Sequence, residues 1–172
     1  MLLDDRDRQG WVLKALREAG NSLLSELHGL DDDALCRRPS EDEWCLKEIA
    51  AHVRDAEELS LLQMTSIIEQ PLRPVPVWDV DVLPAERDYR AEDLAGLLLE
   101  FRNLRRETTS LLWSVSDRQW QRQATHPYRG EITLGTLARE LTQHDLEHLW
   151  QVRRLKFSLF GAAVRSRDDD WP

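Results

Sequence analysis

Four stretches of the chain repeat apolar residues at the three- and four-residue interval of one helix face. In the first, Val12, Ala15, Leu16, Ala19, Leu23 and Leu27 wind onto a single stripe, the mark of an amphipathic helix. Gly29 and the run Asp31-Asp32-Asp33 end it or turn it. The second starts near Trp44 or Cys45 and runs to about Gln70, with Ile49, His52, Val53, Ala56, Leu59, Ser60 and Ile67 on one face. Ser40 with Glu43 and Cys45 with Glu48 compete as its capping box, and Pro71 stops it. The third covers about Ala91 to Val115, with Leu94, Leu97, Leu98, Phe101, Leu104, Thr108, Leu111, Leu112 and Val115 inward. The fourth begins at Thr133, a good N-cap. It runs to about Phe160, where Gly161 suits a C-terminal stop.

Between the second and third helices lies PLRPVPVWDVDVLP, Pro71 to Pro84. Four prolines in this window forbid a helix interior. Trp78 and the valines call for burial, so an ordered loop laid across the bundle is expected. The connection Ser116 to Ile132 contains HPYRGE, a turn with Gly130 at its tip. The pattern implies an all-α protein, a four-helix bundle in up-down-up-down order or with one long crossover. A single domain is expected over 1–165, with 166–172 a frayed tail.

The 172 residues carry a net charge of −9 and a hydrophobic fraction of 41%. Such acidity disfavours nucleic acid and anionic lipid as partners. Arg102, Arg105 and Arg106 are flanked by Glu100 and Glu107 and read as a solvated helix face. There is no apolar run of about 18 residues to cross a membrane, and the acidic start MLLDD argues against a secretory signal. The cytoplasm is the expected location, with Cys36 and Cys45 reduced.

The candidate chemistry is in LTQHDLEHLWQV, Leu141 to Val152. At about 100° per residue, His148 lies about 40° from His144, with Leu137 and Leu155 at about 20° and Gln151 at about −20°. Both histidines therefore sit in the apolar stripe. Imidazoles turned inward must find hydrogen-bond partners or a metal. The spacing alone leaves that choice open. His52 is inward on the second helix, and three histidines from two long helices shift the balance toward a metal site with open positions. Neutral imidazole suits zinc, nickel, iron or copper. Gln151 lies near the metal face and Glu48, Glu140 and Glu147 at the edges of these stripes; each could orient a ligand or act as base, or simply be a solvated surface group. His28 at a helix end and His126 in a turn read as solvated. The HxxEH match at His144–His148 lacks the context of an inverted zinc protease. Leu146, Trp150 and Phe157 form a second apolar stripe that could meet another subunit, or be covered by the N-terminal segment or the Pro-rich loop.

Two stretches carry a family resemblance. RPSEDEWCLKEIAAHVRDAE, Arg38 to Glu57, resembles the W-S-x-x-E-x-x-x-H entry to the second helix of the DinB/YfiT superfamily. GEITLGTLARELTQHDLEHLWQV, Gly130 to Val152, resembles its fourth helix with HxxxH and a following Gln. The order and length of the helices match as well. The resemblance implies a homodimeric four-helix bundle with a divalent metal (Zn, Ni or Fe) on His52, His144 and His148. It includes thiol-dependent enzymes, a mycothiol-dependent maleylpyruvate isomerase and bacillithiol S-transferases. It therefore implies a low-molecular-weight thiol cofactor and a small-molecule substrate. The expected function is a metal-dependent thiol S-transferase or hydrolase; the alternatives are a noncatalytic ligand-binding bundle in a stress response and a bundle with no metal. Glu147, Gln151 and Glu48 are the weak catalytic candidates. Cys45 departs from the family's serine or threonine; cysteine caps poorly, which puts the start of that helix in doubt. A small half-buried residue is its expected role, not a nucleophile.

Overall fold

The computed structural model describes residues 5–78 and 83–168. Helix α1 spans Asp5–Leu27, and Gly29 follows at φ 79°, a left-handed position that suits glycine. A short α2, Asp32–Cys36, is capped by Asp31, whose carboxylate accepts from the Ala34 N–H at 2.8 Å. Helix α3 is Leu46–Glu69, ended before Pro71. The one-turn α4, Leu83–Glu86, precedes α5, Leu94–Ser114, which Asp93 caps through the Gly96 N–H. Then come α6, Asp117–Trp120, and an antiparallel hairpin of β1, Gln123–His126, and β2, Gly130–Thr133. Gly130 turns the hairpin at φ 77°. Helix α7, Leu134–Asp168, starts where Thr133 Oγ1 accepts from the Thr136 N–H at 3.0 Å.

Two stacked apolar clusters show how the long helices run. One gathers Leu16 of α1, Met64 and Ile67 of α3, Leu112 of α5 and Leu134, Leu137 and Leu141 of α7. The other gathers Leu23 and Leu27, Leu46 and Ile49, Phe101, and Leu149, Val152 and Leu155. Thus α1 and α7 run one way and α3 and α5 the other, with α7 between α1 and α3. Of the two topologies left open by the sequence, the bundle takes the one with a long crossover, joining α3 to α5. No described helix is long and apolar enough to cross a membrane.

The crossover is pinned at several points. Val75 is buried and its N–H bonds Thr125 O of β1 at 3.0 Å. Gln63 of α3 donates to Pro76 O at 2.9 Å. Tyr89 is buried with its hydroxyl on Asp55 of α3, whose other oxygen pairs with Arg54. Val75, Leu83 and Tyr89 fill the space under the loop, and Trp78, expected to be buried, is left 37% exposed. Val80 and Val82 lie outside the described residues.

Three further expectations are corrected. Helix α7 continues through Gly161 to Asp168; one glycine costs a helix only about 1 kcal/mol, and Ala162 and Ala163 follow it. The last four residues of the expected frayed tail lie outside the described residues. Cys45 is the N-cap of α3 and is fully buried rather than half-buried. Glu48 steadies that cap by accepting the Cys45 N–H at 2.8 Å, so a poor capping side chain does not leave the helix start open. Arg105, read as part of a solvated face, is only 6% exposed. Its partners, Glu57 on α3 and Asp145 on α7, are contributed by other helices and leave no mark in the local charge pattern.

Candidate metal centre

The antiparallel packing of α3 on α7 sets His52 opposite His144 and His148. One ring nitrogen from each lies within 4.8 Å of the others. His52 Nε2 and His144 Nε2 face each other at 3.0 Å. Ring centroids stand 5.1 Å apart for His52–His144, 4.7 Å for His52–His148 and 4.4 Å for His144–His148. Nitrogens sharing one tetrahedral zinc at about 2.0–2.1 Å lie roughly 3.3 Å apart, so this donor set fits a single divalent ion with small side-chain adjustments. His52 is buried and the other two are half-buried. Two faces of the site are thus protein and the remainder opens outward.

His148 Nδ1 meets Gln151 Oε1 at 2.8 Å. An amide oxygen only accepts, so Nδ1 carries the hydrogen and Nε2 presents a lone pair. Burial, with His144 adding to it, holds the His148 imidazole below the usual histidine range. It is therefore neutral, as a ligand must be. Trp44, the residue before the cap of α3, roofs the cluster: its ring centroid is 4.8 Å from that of His52 and 6.5 Å from that of His148, nearly parallel to the latter.

Of the other candidates, Gln151 is joined to the cluster by a hydrogen bond to His148. Glu147 is exposed and accepts from Gln143 at 2.8 Å. Glu48 is buried and committed to the Arg38 guanidinium as well as to the Cys45 N–H. Burial opposes its charge, but Arg38 and the Cys45 N–H outweigh that and hold its carboxyl below the usual range. Glu140 pairs with Arg129 of the hairpin turn. His28 is exposed past the end of α1, and His126, in β1, accepts from the Tyr128 N–H at 3.2 Å. Burial pushes the Cys45 thiol up to about 11, which keeps it protonated and unreactive.

Behind the histidines lies a group of charges that the sequence pattern did not reveal. Arg105 pairs through Nη2 with Glu57 at 2.6 Å and through Nη1 with Asp145 at 2.5 Å, and Nη1 also donates to Leu16 O at 2.6 Å. Glu57 and Asp145 are both 0% exposed. Burial disfavours the Arg105 charge, but Asp145 and Glu57 more than offset it and push its pKa up. Asp145 adjoins His144 in sequence; the inward-facing fourth helix was the available hint that it too is buried.

Two hollows flank the cluster. A cleft of about 170 Å³ between α3 and α7 has His144 in its wall, with Leu59, Leu137 and Leu141 as apolar lining and Ser60, Gln63 and Arg129 as polar groups. A wider groove of about 520 Å³ lies beyond Trp44 and Gln151 and includes Asp42, Glu43 and Arg154.

Solved structures share this fold. YfiT from Bacillus subtilis, a probable metal-dependent hydrolase with an unusual four-helix bundle topology, superposes with a TM-score of 0.82 at 18% identity, covering 92% of this chain and 90% of that one. The mycothiol-dependent maleylpyruvate isomerase matches with a TM-score of 0.70 at 10% identity, over 84% of this chain and 60% of that one. By sequence, a protein of Oceanobacillus iheyensis with the provisional name of metal-dependent hydrolase is 20% identical over 142 residues, 82% of this chain and 81% of its own. The model of the DinB superfamily matches residues 15–152, from the first helix through both histidines of the fourth. The chain belongs to the DinB superfamily.

Proposed function

We propose that the protein is a divalent-metal-dependent enzyme acting on a small electrophile, with water or a low-molecular-weight thiol as the attacking group. The observation that carries this reading is the convergence of three imidazole nitrogens from two helices, with one of the three residues, His144, in the wall of a cleft of about 170 Å³. His52, His144 and His148 would hold the ion. A zinc, nickel or iron ion on three nitrogens keeps open positions and lowers the pKa of a bound water or thiol.

The chain's own groups supply the rest. Gln151 fixes the His148 ring through Nδ1, and Trp44 roofs the cluster. Leu59, Leu137 and Leu141 give the cleft an apolar wall that limits water. Gln63 ties that wall to the crossover. The metal-dependent hydrolase names and the mycothiol-dependent isomerase among the similar proteins support the two choices of nucleophile.

The test is turnover by zinc-, nickel- and iron-reconstituted protein, with ester and amide substrates and with thiol–electrophile pairs. Metal-dependent turnover lost in His52→Ala supports the reading, and a requirement for added thiol identifies the nucleophile. Stoichiometric metal without turnover in any pairing would favour a noncatalytic binding bundle. The exposed stripe of Leu146, Trp150 and Phe157 on α7 supports a homodimer as part of the same proposal.

A further inference from the structure

His144 turns Nε2 to the cluster and leaves Nδ1 on the other side of its ring. That Nδ1 is buried and has no hydrogen-bond partner among the described residues. The Asp145 carboxylate lies beside it, with Oδ1 3.9 Å away and likewise buried without a hydrogen-bond partner among the described residues. Oδ2 of the same carboxylate is engaged by Arg105 at 2.5 Å. A buried ring nitrogen and a buried carboxylate oxygen, each without a hydrogen-bond partner and 3.9 Å apart, call for a common explanation.

We propose that Asp145 is a positioning residue for the metal ligand His144, accepting Nδ1–H and so presenting the Nε2 lone pair, with Arg105 holding the carboxylate in place. The inference rests on the metal-site reading above. On metal binding the His144 ring must shift to close the 3.9 Å gap. The charges agree with it. Glu57 and Asp145 bring two carboxylates against the single guanidinium of Arg105. The interior behind the three imidazoles thus carries a formal surplus of one negative charge, and a cation on those imidazoles complements it. Histidine ligands commonly donate their second ring N–H to a carboxylate, which orients the ring and raises its basicity. His148 solves the same problem with Gln151, a neutral acceptor, so one α-helix would support its two ligands by different means.

The experiment measures zinc affinity by chelator competition for the wild type, Asp145→Asn and Glu57→Gln. Both variants remove one carboxylate charge from Arg105, so both disturb the core, but only one faces His144. Asp145→Asn is expected to weaken zinc about 10- to 100-fold. Glu57→Gln should stay within roughly threefold, a change too small for loss of a ligand's carboxylate partner. Equal weakening in both would assign the effect to the core and overturn the proposal, as would unchanged affinity in Asp145→Asn. A nitrogen-resolved imidazole spectrum of the zinc-loaded wild type gives a second reading that needs no variant to fold. A proton on Nδ1 of His144 supports the proposal, and a proton on Nε2 overturns it. Wild type that binds no zinc removes the metal-site reading itself, and is distinguishable from failure of the Asp145 role alone.

Discussion

Replacing Arg105 by methionine should be among the most damaging single changes in the bundle. The side chain is buried, and Gly20 of α1 leaves room for it: a Cβ there would sit 3.2 Å from Arg105 Nη1. Methionine keeps most of the length and removes the charge. What remains is Glu57 and Asp145, both fully buried, with no guanidinium between them, and Leu16 O without its donor. Breaking a buried ion pair by deleting one partner costs about 3–5 kcal/mol. Against a domain stability of about 5–15 kcal/mol, that is a large share of the total. The exposed pair Arg129–Glu140 provides the contrast, since each side chain is 44% exposed. Arg129→Ala should change stability by at most about 1 kcal/mol. Urea unfolding of metal-free protein, followed by far-UV circular dichroism, measures both without a contribution from ligand binding. Adding Glu57→Gln to Arg105→Met should recover part of the loss, because one uncompensated charge is removed. A loss below about 1 kcal/mol for Arg105→Met would refute the reasoning that these carboxylates depend on it.

Gln151→Leu removes the acceptor of His148 Nδ1–H and should weaken zinc by about 10-fold or more, read by chelator competition. Gly135→Ala should destabilise the protein in urea, because the new Cβ would meet Trp120 Nε1 at 2.5 Å; overpacking of about 1–3 kcal/mol exceeds the gain of about 1 kcal/mol from alanine in a helix. His148, held below the usual histidine range, ties metal-free stability to pH. The unfolded chain takes up its proton near pH 6.5 while the folded chain does not, so the contribution is full above about 6.5 and is lost as pH falls through the lower folded value. Melting temperatures of His148→Gln should show a shallower acid decline than wild type. Trp150, 68% exposed, and Phe157, 67% exposed, anchor the proposed subunit contact; Trp150→Glu should convert a dimer to monomer in light scattering, and a wild type that is already monomeric would end that part of the proposal.

The long helices and the histidine cluster were legible in the sequence because both rest on helical periodicity. His52, His144 and His148 fall on apolar stripes, and a stripe that must be buried turns them inward wherever the helices pack. The direction of α5 was not legible, since Pro71 to Pro84 is long enough to form either an end loop or a crossover. Nor was the role of Arg105, whose partners Glu57 and Asp145 come from α3 and α7. Its neighbours Arg102 and Arg106 are exposed, so the local charge pattern described two of the three residues correctly. Trp78 misled because burial depends on which loop positions face the bundle, and Val75, Leu83 and Tyr89 took them. The hairpin was visible only as a turn, its two four-residue strands being too short for a period-two pattern to stand out.

The central claim is that His52, His144 and His148 hold one divalent ion. Metal content by plasma mass spectrometry on untagged protein, beside His52→Ala and His144→Ala, tests it directly. About one ion per chain is expected in the wild type, as three-histidine sites hold, with loss of it in both variants and the helical spectrum unchanged. A wild type that holds no metal after reconstitution with zinc, nickel or iron would contradict it.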